Sequence, residues 1–168
     1  MPDERHLCET HGANAIPPGE LRFKDLRFAE QFTIWALRKW VVVMRSAEKD
    51  ATILRQAFVQ AMIGDAFFAF DQLMRIVAVS AKRTIDVRCV GCHAVSLDET
   101  MALAMIEARQ QGDAVSTHMY LDDWIPPAAV RIAFDPVTFI AEAMDRGGMR
   151  LSGNRDRHLG VRFHRAVH

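Results

Sequence analysis

No apolar run in this 168-residue chain is long enough to cross a bilayer; the longest, such as Ala66–Phe70, covers little more than one helical turn. Cysteine is scarce. Three is an odd number and too few for a disulfide framework, so the core must hold by packing. Net charge is absent as well: 21 basic and 21 acidic residues cancel, and the chain as a whole makes no electrostatic case for nucleic acid. The motifs of common catalysis are missing too. There is no Gly-x-Ser-x-Gly, no phosphate loop, no Gly-x-Gly-x-x-Gly and no His-Glu-x-x-His. The first residues lack the charged-then-apolar order of a secretory signal, so the expectation is a soluble cytoplasmic protein.

What is present is half apolar and one quarter charged, an ordinary globular balance, and long enough for one domain with a real core. The chain divides into three stretches. Residues 1–20 read as an irregular arm with His6, Cys8, His11 and Pro17-Pro18. Residues 21–146 read as a helical domain. Residues 147–168 are a basic tail. From Arg146 onward six arginines face one acid, Asp156, giving +5 there and −5 in the rest.

The fold expected is all-α: a single irregular bundle of about six helices. A helix over Leu26–Arg45 has Phe28, Phe32, Trp35, Val42 and Val43 on its apolar face, and its width suggests a central position. Ser46 is placed to cap the next helix, whose face is Ile53, Leu54, Ala57, Phe58, Ala61 and Met62. Gly64-Asp65 interrupts it, and Phe67–Lys82 is apolar on most sides, as a helix inside a bundle would be. Thr84–Arg88 alternates and reads as a short extended segment. Ser96 and Glu99 form a capping box for a helix to Gln111. A helix over 114–125 ends at Pro126-Pro127, and Asp135-Pro136 reads as a fresh helix start. The tail is either a hairpin around Gly153-Asn154 or a disordered basic segment.

One stretch points to chemistry: Cys89-Val90-Gly91-Cys92-His93. A Cys-x-x-Cys pair supplies half of a tetrahedral zinc site, and Cys8-Glu9-Thr10-His11 supplies a Cys-x-x-His half. Cys8, His11, Cys89 and Cys92 together make a Cys₃His zinc set that would tie the arm down. His93, His6 and His118 are alternatives to His11. Cys89, Cys92 and His93 also spell a haem attachment string or a redox pair. The bland reading is two inert thiols in a turn. The acid pairs Asp98-Glu99 and Asp122-Asp123 read as solvated faces, and Asp71 with Arg75 as an i,i+4 pair. The function expected is a small non-catalytic module, acting through a protein partner or self-association and stapled by zinc. The alternatives are a redox or haem protein using Cys89, Cys92 and His93, or a nucleic-acid-associated regulator using the C-terminal arginines.

Overall fold

The computed structural model describes residues 21–46 and 50–152. A 3-10 turn at Phe23–Asp25 precedes six α-helices: α1 (Phe28–Arg45), α2 (Thr52–Gln60), α3 (Ala66–Ser80), α4 (Leu97–Gln110), α5 (Ala114–Trp124) and α6 (Pro127–Arg146). Among the described residues there is no strand, only one isolated antiparallel bridge, Arg22 with Ala94. The architecture is the all-α bundle that the helical periodicity predicts.

The centre is α4, not α1. Nearly every side of α4 is buried, from Asp98 through Ile106. It packs on α5 and α6, and α3 packs most extensively on α6. The buried stripe of α1 is Ile34, Leu37, Trp40 and Val43, rotated away from Phe28, which is 67% exposed. Phe32 and Trp35 are only half-buried. Two residues expected in the next face, Ile53 and Met62, are also exposed. Ser46 closes α1 by donating to Val42 and Val43 carbonyls, while Asp50 accepts from the Thr52 N–H at the start of α2. Helix α2 stops where Met62 turns left-handed (φ 61°) and Ile63 N–H reaches back to Phe58 O at 3.0 Å.

Pro136 does not begin a helix. It lies inside the unbroken α6, with Val130, Ala133, Val137, Ile140, Ala141 and Met144 buried along one stripe through it. Packing of that stripe outweighs the hydrogen bond that the proline cannot donate. Packing also continues past Arg146. Gly147 and Gly148 turn the chain, and Met149 and Leu151 are buried, held by Gln110 of α4, which donates to Met149 O and accepts from Leu151 N–H. Residues 153–168, with the expected hairpin or basic tail, lie outside the described residues.

Candidate functional site

Between α3 and α4 the chain crosses as a non-helical strap carrying the cysteine turn. The N–H groups of Asp86 and Arg88, two residues apart, both donate to carboxylates of α4: Asp86 to Asp98 at 2.7 Å and Arg88 to Glu99 at 3.1 Å. Donors on alternate residues facing one side are what an extended segment offers. Ser96 then caps α4 in the expected capping box, with its hydroxyl accepting from Glu99 N–H at 3.1 Å and its own N–H donating to Glu99 Oε2 at 2.9 Å.

Glu99 is the hinge pin of this arrangement. Its carboxylate is gripped by Arg38 of α1 through two hydrogen bonds, Nε to Oε1 at 2.7 Å and Nη2 to Oε2 at 2.9 Å. Both side chains are 0% exposed. The same guanidinium donates to Cys92 O at 2.6 Å and Ala94 O at 2.8 Å. Four bonds therefore run from one α1 residue to the helix start and to the cysteine turn, and they satisfy a charge that would be costly to bury alone.

Asp98, the next residue back, holds Arg83 in the same bidentate way, at 2.9 and 2.7 Å. Arg83 also contacts the Asp123 carboxylate of α5. Burial works against the charge on Asp98. The hydrogen bonds from Arg83 and the Asp86 N–H more than offset it, so its pKa lies below the ordinary carboxylate value, and that of Arg83 is raised by its hydrogen bonds to Asp98 and Asp123. The solvated reading of Asp98-Glu99 is thus corrected. Both acids lie under the strap, buried and neutralised by arginines. Of the other pair, Asp122 is exposed and Asp123 is the Arg83 partner. The sequence did hold a signal for this site, since Arg38 falls among Ile34, Leu37 and Trp40 on the buried face of α1.

Cys89 and Cys92 are joined by a disulfide across the turn, with Cα atoms 5.3 Å apart. Cys92 N–H donates to Cys89 O at 3.0 Å, and the tip, Val90-Gly91, is exposed. Cys8, His11 and His6 lie outside the described residues. The chain just beyond that arm is nevertheless fixed beside the turn. Val95 N–H donates to Leu21 O at 3.0 Å and Phe23 N–H to His93 O at 2.8 Å. The His93 side chain is exposed. His118 is engaged elsewhere: it stacks on Phe134 with ring centroids 4.3 Å apart, and its Nδ1–H donates to Ala114 O. Among the described residues no group of three or more His, Cys, Asp or Glu stands ready to hold a metal ion. Of the C-terminal arginines, Arg146 pairs with Asp65 and Arg150 with Asp145; Arg155, Arg157, Arg162 and Arg165 are outside the described residues.

A second surface escaped the periodicity argument, which placed α3 inside the bundle. Phe68 of α3 (64% exposed) and Ile132 and Phe139 of α6 (60% and 42%) face an open groove of about 500 Å³ floored by Ala69 and Pro136. Arg55 lies over the Phe68 ring and Arg146 over the Phe139 ring, at 5.3 and 5.9 Å. Asp65 and Asp135 add the opposite sign to its rim.

No family model matches the chain, and neither a curated protein nor a solved structure resembles it. No helix among the described residues is long and apolar enough to cross a membrane.

Proposed function

We propose that this protein is a non-catalytic module that acts by self-association, through the groove between α3 and α6. The observation that carries the reading is the contiguous exposure of Phe68, Ile132 and Phe139. Aromatic side chains backed by arginine are the residues that dominate protein interfaces. A second copy is the occupant that the rim favours. Asp65 and Arg146 pair within the chain, which leaves Asp135 and Arg55 as an acid and a base that two copies can exchange across a two-fold contact. Sedimentation equilibrium tests it. The wild type is expected to dimerise at micromolar concentration, with Ile132→Asp monomeric and equally stable to heat. A wild type that stays monomeric across that range contradicts the reading.

A second reading, a structural zinc site in the reduced protein, is supported by the anchoring of Leu21 and Phe23 beside the cysteine turn. Ten extended residues span up to about 35 Å, so chain length does not prevent Cys8 and His11 from joining Cys89 and Cys92. Protein purified under reducing conditions is expected to carry about one zinc, lost in Cys8→Ser. Equal zinc in both, or none in either, rejects this ligand set.

A further inference from the structure

The Cys89–Cys92 disulfide closes a loop of only four residues, and the stability that a disulfide supplies grows with the length of the loop it closes. This one adds little. The turn around it is already held through its backbone. Arg38 donates to the Cys92 and Ala94 carbonyls, Cys92 N–H to Cys89 O, Phe23 N–H to His93 O and Arg88 N–H to Glu99. None of these bonds uses a sulfur atom. The sulfur–sulfur bond can therefore open and close while the chain on both sides keeps its place.

The bond is also within reach of a partner. Both cysteines are half-buried, and Val90, Gly91 and His93 around them are exposed. A Cβ on Gly91 would meet no atom within 4 Å beyond its chain neighbours, so the space over the tip is open. Exposed disulfides that a fold does not need are the labile, exchanging kind. The anchored backbone also keeps the two thiols near one another after reduction, because it sets their Cα atoms 5.3 Å apart. A neighbouring thiol at such an effective concentration expels a monothiol from a mixed disulfide. A dithiol, which closes a ring of its own, competes on equal terms.

We propose that Cys89 and Cys92 are a redox-active pair that exchanges two electrons with a dithiol. One thiol of the dithiol, having lost its proton, attacks a sulfur of the pair. The sulfur–sulfur bond breaks, and the released cysteine takes up a proton. The second thiol of the dithiol then loses its proton and attacks its own partner sulfur in the mixed disulfide, which frees the other cysteine to take up a proton in turn. The dithiol leaves as a disulfide, having lost two electrons and two protons, and the pair has gained both. A disulfide such as oxidised glutathione reverses the sequence. The groove between α3 and α6 plays no part, and the exchange needs neither Cys8 nor zinc, so it stands apart from both readings above.

The test uses Cys8→Ser protein in a chelator, which separates exchange from zinc binding, with dithiothreitol as the dithiol and 2-mercaptoethanol as the monothiol at equal thiol concentration. Alkylation followed by mass measurement counts the free thiols. Millimolar dithiothreitol near neutral pH is expected to open the bond within about ten minutes with the helix content unchanged, and oxidised glutathione to close it again. The monothiol should reduce at least about tenfold less of the pair and leave no lasting adduct. Adding Cys89→Ser or Cys92→Ser removes the resolving thiol, and the cysteine that a partner attacks should then hold glutathione as a stable mixed disulfide. Arg38→Met frees the turn, so the two thiols meet less often, and the equilibrium with glutathione should shift about tenfold toward the dithiol. The proposal is overturned if the bond resists dithiothreitol until the protein unfolds, or if opening it melts the helices. It is also overturned if monothiol adducts accumulate on the intact pair, if neither single-cysteine variant takes up glutathione, or if Arg38→Met leaves the equilibrium where it was. Should Cys8→Ser or Arg38→Met fail to fold, the wild type in chelator, with the alkylated cysteines mapped by peptide, decides on the remaining outcomes.

Discussion

Asp98 and Glu99 are neighbours in the first turn of α4, and each grips an arginine through two hydrogen bonds, yet the two pairs do different work. Arg38–Glu99 is sealed from water at both ends and reaches the Cys92 and Ala94 carbonyls as well. Arg83–Asp98 keeps its arginine about one-third exposed and shares it with Asp123. The first pair fixes the cysteine turn to α1 in a place where neither charge can be solvated if the other leaves. The second clips the start of the strap to α4 and α5 with a buried acid and an arginine that is one-third in water, and the Asp86 N–H also donates to that acid. Identical chemistry is therefore expected to yield unequal energies, set by burial.

The largest expected effect is at Arg38. Arg38→Met leaves Glu99 buried without its counter-ion and should cost about 3–5 kcal/mol in denaturant unfolding. A cost below about 1 kcal/mol would mean that the pair is no stronger than a surface one. A packing control away from the strap sets the scale. A Cβ on Gly147 would stand 2.6 Å from Ile63 Cγ2, so Gly147→Ala should cost about 1–3 kcal/mol, less than Arg38→Met. Reducing the Cys89–Cys92 disulfide frees only a four-residue loop already held by Arg38, and should cost no more than about 2 kcal/mol.

Arg83→Ala is the smallest, at about 1 kcal/mol near neutral pH, because truncating a one-third-exposed arginine lets water in to Asp98, which also keeps the Asp86 N–H as a donor. Its pH dependence carries the sharper information. The folded pKa of Asp98 lies below its unfolded value near 3.8, so the stability it contributes is fully present above that pH and is lost as pH falls through the folded pKa. The gap between wild type and Arg83→Ala should close on acidification below about pH 3.8. A gap that persists there would assign the loss to packing instead.

Helix number and the capping box at Ser96 were legible in local sequence because each depends on neighbours three or four residues apart. The Asp71–Arg75 pair was legible for the same reason, at 2.7 Å, although Asp71 also accepts from Trp40 Nε1, a partner on another helix. The continuity of α6 was misread because a local rule about proline competed with a stripe that packing on α3, α4 and α5 makes valuable. The anchor was missed for a related reason. An acid pair at a helix start suits the dipole whether solvated or buried. Only contact with Arg38, far away along the chain, distinguishes the two. The cysteine spacing did predict that two sulfurs would meet, but spacing alone does not say whether they share a metal or bond to each other.

The central claim is that the buried Arg38–Glu99 pair, and not the disulfide, holds the strap on α4. Amide hydrogen exchange at Arg88 and Ser96, both donors to Glu99, tests it most directly. Protection of these two amides should survive reduction of the disulfide and be lost in Arg38→Met under conditions where the α6 amides remain protected. Loss of protection on reduction, with retention in Arg38→Met, would contradict that claim.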